Sequence, residues 1–227
     1  MTTADTKIGK LIITRHHESE WNKLGLWTGK RDVNVSPYGL EMAKKMGDSF
    51  NAYCTDAASQ ISHIDTVFLS AQKRTLQTYE SMSKGITSVS LPATPERSAA
   101  LNERDYGDYT GKNKWEVKKE VGDKAFELIR RGWDTPVPNG ETLKMVYDRA
   151  VPYFLQTIVP LLKSGKNVLI VSSGNAIRAL MKYIEHIPDD KIGSIEMSFG
   201  CILIYDVDAD GHLIDKKILQ VESKVNA

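Results

Sequence analysis

Lys10-Leu11-Ile12-Ile13-Thr14-Arg15-His16-His17-Glu18-Ser19-Glu20-Trp21-Asn22 is the stretch that decides how this chain folds. Its apolar half predicts a short buried strand from Lys10 to Thr14, and its polar half begins with an Arg-His pair delivered to the strand's carboxyl end. Open α/β sheets bind ligands outside the carboxyl ends of their strands. An arginine there grips an anion with two donors, and an imidazole supplies a nucleophile, a pairing suited to phosphoryl transfer.

Working outward, similar strands are expected at Thr66 to Ser70, Val168 to Ser172 and Cys201 to Val207, with a shorter candidate at Ser88 to Leu91. Longer amphipathic segments separate them, which argues for crossover connections and a mainly parallel sheet covered by helices. Ser36 reads as a helix N-cap with Pro37 at the first helical position, where the proline's missing N–H costs nothing. A second helix is expected from about Glu141 to Leu162, bent or interrupted by Pro152 and Pro160. Asp208-Ala209-Asp210-Gly211 reads as a hairpin turn joining Cys201–Val207 to Leu213–Val221, which gives the sheet an antiparallel edge. The less regular segment 100–139, rich in glycine and proline, lies between strands as an insertion would, and is expected to act as a lid within a single domain spanning 1–227.

The chain has 227 residues, enough for one large α/β domain, and its 30 basic residues against 29 acidic ones project little net field. A general attraction to nucleic acid or to an anionic membrane surface is therefore not expected. Cys54 and Cys201 have neither metal-ligand spacing nor the density of a disulfide scaffold, and Met1 to Lys7 lacks the apolar core of a secretion signal. A cytoplasmic protein is expected.

Four segments look set to converge: Arg15-His16, Ser70 to Arg74, Leu101 to Gly107 with its Glu103-Arg104 pair, and Ser173-Gly174-Asn175 before a helix start. Two arginines can hold a phosphoryl group while His16 attacks phosphorus in line, and Glu103 can move the proton of the leaving or attacking oxygen. Carrying these residues, the chain resembles the cofactor-dependent phosphoglycerate mutases of the histidine phosphatase superfamily from about Lys10 to Asp206. That family's Arg-His-Gly-Glu-Ser motif corresponds to Arg15-His16-His17-Glu18-Ser19, its Trp-Asn to Trp21-Asn22 and its Thr-Gly to Thr28-Gly29. Its Ser-x-x-x-Arg-Thr segment corresponds to Ser70–Thr75, and its Leu-Asn-Glu-Arg-x-Tyr-Gly loop to Leu101–Gly107.

The resemblance implies a three-layer α/β/α fold, a phosphohistidine at His16, and Glu103 as general acid and base. It also implies that Arg15, Asn22, Arg74 and Asn175 cradle the transferred group, while Arg104, Tyr106, Lys114, Arg130 and Arg131 hold the rest of a small phosphorylated substrate. 2,3-bisphosphoglycerate as phosphoryl primer, no metal, and a homodimer or homotetramer follow from the same likeness. Two positions depart from it: where the family has glycine and histidine, this chain has His17 and Ser173. Loss of the second histidine removes a donor from the transition state, so three readings stay open: a mutase with impaired turnover, a non-catalytic phosphoglycerate-binding or regulatory protein, and a weak histidine phosphatase. Ser173 has the simpler reading of a helix cap. His17 either occupies volume vacated at position 173, or has drifted independently and turns away.

Overall fold

The computed structural model describes residues 8–222. The first strand, β1 (Gly9–Arg15), is buried along both faces, and β2 (Thr66–Ser70), reached through α1 (Glu20–Lys23) and α2 (Pro37–Thr55), repeats the pattern. Ser36 caps α2 as its composition requires, its Oγ accepting from the Gly39 N–H at 3.0 Å. After β2 come α3 (Lys73–Ser83), the short β3 (Glu96–Ser98), α4 (Lys114–Val121) and α5 (Asp123–Arg131). The chain then forms α6 (Leu143–Tyr153), α7 (Val159–Lys163), β4 (Val168–Ser172) and α8 (Gly174–Ile184), and ends in the hairpin β5 (Cys201–Val207) and β6 (Leu213–Gln220).

The sheet runs β3-β2-β4-β1-β5-β6. Its first four strands are parallel, and β5 and β6 add antiparallel to β1's other side. Strand alternation sorts β1 between the two faces. Leu11 and Ile13 pack with Phe68, Ile170 and Leu203 beneath α6 and α8, whereas Ile12 packs with Leu69, Val171 and Ile204 against Met46 of α2 and Met82 of α3. This is the three-layer α/β/α architecture, with the antiparallel edge where the hairpin was expected. The turn residues behave as turn chemistry dictates: Asp208 Oδ1 accepts from the backbone N–H groups of Asp210 and His212, and Gly211 takes a φ of +88°.

One expectation needs correcting. Ser88 to Leu91 is not a strand: Ser90 makes one bridge to His63, and the edge is formed instead by β3, which pairs Phe68, Leu69 and Ser70 with Glu96, Arg97 and Ser98. The helix expected over 141–162 is interrupted in the region of Pro152 and Pro160, as its sequence implied: it is two helices joined by a π-helical turn at Phe154–Ile158. Pro160 has no N–H for the carbonyl one turn back, and Pro152 crowds the preceding turn, so the ladder between them widens.

Segment 99–142 carries its own small core, in which Val117, Phe126, Ile129 and Val137 surround Trp27 over the carboxyl ends of the parallel strands. None of the described helices is long and apolar enough to cross a membrane. Gly47 lets α2 approach α3 so closely that a Cβ there would run into the Met82 carbonyl oxygen. Gly47→Ala is therefore expected to cost about 1–3 kcal/mol through overpacking, read as a lower urea midpoint with an unchanged slope.

Candidate active site

His16 leaves the end of β1 with its N–H donating to the Ser172 carbonyl at 2.9 Å, so the β1–β4 ladder itself fixes the residue. The ring's Nδ1 lies 2.7 Å from the His17 carbonyl oxygen, which can only accept; Nδ1 therefore carries the proton and Nε2 keeps its lone pair. Arg74 Nε donates to that lone pair at 3.1 Å. Burial, with Arg74 and Arg15 alongside, holds the His16 imidazole well below its usual pKa, which leaves it neutral and nucleophilic. Arg74 is itself buried, its pKa lowered by burial to about 10, so it stays charged at neutral pH. Arg15 lies over the Phe199 ring at 4.1 Å and donates from Nη1 to the Met197 carbonyl at 3.0 Å, while its buried Nε has no protein partner.

Glu103 is the counter-charge. Its Oε1 accepts from the Arg104 N–H at 2.8 Å, from Asn175 Nδ2 at 2.9 Å and from the Asn175 N–H at 3.3 Å, so the carboxylate sits at the amino end of α8. Burial pulls its pKa up, but Arg74, the Arg104 amide, Asn175 and Arg15 outweigh that, and the group lies below the usual carboxylate value. The loop bearing it is held from below by Arg149 of α6, which donates to the carbonyls of Ala100 at 2.8 Å, Asn102 at 2.9 Å and Glu103 at 3.1 Å.

Around these groups lies a cationic cavity of two joined lobes. His16, Asn22, Thr28, Gly29 and Arg74 line one, Arg130, Arg131 and Asn175 the other, and Arg15, Glu103, Tyr106 and Lys114 line both. Trp27 also borders both, so it walls the cavity and fills the small core at once. Arg104 is fully buried with its guanidinium 4.6 Å over the Tyr106 ring; Nη2 donates to the Ile129 and Arg130 carbonyls of α5, and Nε and Nη1 have no protein partner. Burial, with Arg15 and Arg130 nearby, lowers the Lys114 pKa to about 8. Sequence reasoning missed Arg178 and Glu196 in the second lobe, where Glu196 takes Arg131 at 2.8 Å. Among the described residues, Asp208, Asp210 and His212 have metal-compatible spacing, but they lie in the β5–β6 turn and line neither lobe.

The two departures are not neighbours joined by a hydrogen bond. His17 Nδ1 accepts from the Glu18 N–H at 2.8 Å, its Nε2 has no partner, and the ring stacks on Phe199 with centroids 5.2 Å apart. Ser173 stands at the N-cap position of α8 without capping it. Its Oγ lies 3.4 Å from Gln72 Oε1, and the helix end is served by Glu103 instead. Burial, then Arg15, lowers the His17 pKa to about 4, against about 6.5 for an unfolded histidine. The unfolded chain thus takes the proton first, and the stability present above pH 6.5 is lost as pH falls toward 4, by up to about 1.4 kcal/mol per unit. His17→Asn, which keeps an acceptor near the Nδ1 position and cannot titrate, is expected to flatten urea midpoints against pH across that window, leaving the His16 contribution.

A family model for the histidine phosphatase superfamily (branch 1) matches residues 11–218. A phosphoglycerate mutase of Schizosaccharomyces pombe is 36% identical over 96% of this chain and 99% of its own length. A 2,3-bisphosphoglycerate-dependent phosphoglycerate mutase of Parvibaculum lavamentivorans is 32% identical over 92% and 95%. Among solved structures, Bacillus stearothermophilus YhfR superposes with a TM-score of 0.71 at 25% identity, covering 91% of this chain and 94% of that one. With the family model covering most of the chain and nearly the whole sheet, this chain belongs to the histidine phosphatase superfamily.

Proposed function

We propose that the chain interconverts 3-phosphoglycerate and 2-phosphoglycerate through a phosphohistidine at His16. The observation that carries this reading is a neutral imidazole whose Nε2 lone pair faces Arg74 at 3.1 Å, in a lobe that also contains the ionised Glu103. A second cationic lobe adjoins the first, which suits a substrate with a second anionic group, and buried donors without protein partners lie in both: Thr28 Oγ1 in one, Arg178 Nε in the other. These features fit 2,3-bisphosphoglycerate as primer, whose contribution when bound is the phosphoryl group that charges the enzyme.

From the charged state, an acceptor hydroxyl bonds to phosphorus as the P–Nε2 bond breaks, and its proton passes to Glu103. The return half-reaction reverses each event, with Glu103 giving the proton back and His16 recovering a phosphoryl group. Arg15 and Arg74 neutralise the equatorial oxygens throughout. The His17 carbonyl keeps Nδ1 protonated, so the nucleophilic nitrogen is always Nε2. Turnover is expected to be slow for the family, because Ser173 presents no cation; one lost transition-state donor costs on the order of a hundred- to a thousandfold. Cys54 and Cys201 are free thiols, which supports a cytoplasmic enzyme.

Incubation with 2,3-bisphosphoglycerate is expected to add one acid-labile phosphoryl group, read by intact mass and lost in His16→Asn. An unlabelled wild-type chain would overturn the reading. A second expectation follows from Lys114. Its charge is present below about pH 8 and lost above, so KM for 3-phosphoglycerate should climb between pH 8 and 9.5, and Lys114→Arg should flatten that climb.

A further inference from the structure

Gln72 joins four parts of the site that the sheet brings together only at its edge. The residue is 3% exposed, in the loop between β2 and α3. Its Oε1 accepts from Arg74 Nη2 at 3.0 Å and from the Glu103 backbone N–H at 3.0 Å, and it lies 3.4 Å from Ser173 Oγ. Its Nε2 donates to the Gly29 carbonyl at 3.1 Å. Arg74 and the Glu103 amide are both donors, so the amide's orientation is settled by its partners.

We propose that Gln72 is a positioning residue for phosphoryl transfer, its side-chain oxygen aiming the Arg74 guanidinium and fixing the loop that carries Glu103. The proposal rests on the phosphoryl-transfer reading of the site and adds to it how a site with serine at position 173 stays assembled. Arg74 Nε spends the resting state on His16 Nε2, the atom that must be free to meet phosphorus. The outer edge of the guanidinium is held at both corners, Nη1 by the Arg31 carbonyl at 3.0 Å and Nη2 by Gln72 Oε1 and the Gly29 carbonyl, each at 3.0 Å. The guanidinium can therefore tilt about its Nη1–Nη2 edge, releasing the imidazole and turning Nε toward the phosphoryl oxygens, with Gln72, among the described residues, the one side chain that holds that edge. The same Gln72 oxygen holds the Glu103 N–H, which keeps the proton carrier in register with that tilt. A side chain of equal length without the oxygen frees both.

The test compares wild type with Gln72→Met, which preserves length and removes the acceptor, and Gln72→Asn, which is polar but one methylene too short and serves if the first does not fold. Inorganic phosphate binding is measured by calorimetry and stability by urea unfolding, with kcat and KM for 3-phosphoglycerate alongside. Affinity for inorganic phosphate should fall about tenfold in a folded variant, the scale of one hydrogen bond to a charged group. In turnover, kcat should fall more than KM rises, a split that loosened packing alone does not produce. A folded variant with wild-type phosphate affinity overturns the proposal and leaves the functional reading standing. A wild-type chain that binds phosphate but never forms the His16 adduct overturns the functional reading, while the affinity comparison still decides Gln72. A wild-type chain that binds no phosphate overturns both.

Discussion

The Glu103 carboxylate sits at the amino end of α8, with Arg74 and Arg15 on one side and the Asn175 amide on the other, and the site's charge is organised around it. Guanidiniums gathered in a buried space repel each other: Arg15 lowers the pKa of Arg74, and Arg131 lowers that of Arg15. A single ionised carboxylate offsets part of that repulsion and uses the positive end of a helix to stay ionised despite its own burial. Removing it would leave buried cations uncompensated, a cost of a few kcal/mol. The chain secures Glu103 accordingly: Arg149 holds its loop from the helical layer, and Gln72 holds its amide from the neighbouring strand.

This arrangement depends on where strands end. β1 pairs with β4 so that Arg15 faces Ser172, and β2 pairs with β4 on the other side, which brings the first residues after all three to one edge. His16, Gln72 and Ser173 each come one or two residues beyond their strands. The side chains at this edge point where the ladder sends them, and loops supply only the last step. That is why an imidazole tautomer can be set by a neighbouring backbone carbonyl rather than by another side chain.

Much of this was legible in the sequence, for reasons that also mark where legibility stops. β1, β2, β4 and β5 are continuous apolar runs because both their faces are buried, and such runs identify themselves. β3 is three polar residues, its first two exposed, on an edge, held by pairing alone, so nothing in its composition marks it. Ser173 looked like a cap because serine before a helix usually is one; a carboxylate contributed from seventy residues earlier had already taken that place. His17 was readable as a departure but not as half of a stack, since Phe199 is remote in sequence. Gln72 and Arg149 bear no reactive group and fall between or outside motif positions. Only their partners' coordinates disclose what they hold.

The placement of β1 also governs how the molecule comes into being. Leu11 pairs with Val168 on one side and with Tyr205 on the other. During synthesis, the strand that leads to His16 is therefore made well before β4 and β5, and waits with both backbone edges unsatisfied until they follow. Pairings this distant in sequence are slow to close, and an apolar run kept waiting is prone to join the wrong neighbour. The centrality that makes β1 a platform for its histidine also makes it a strand whose two edges close only through pairings distant in sequence.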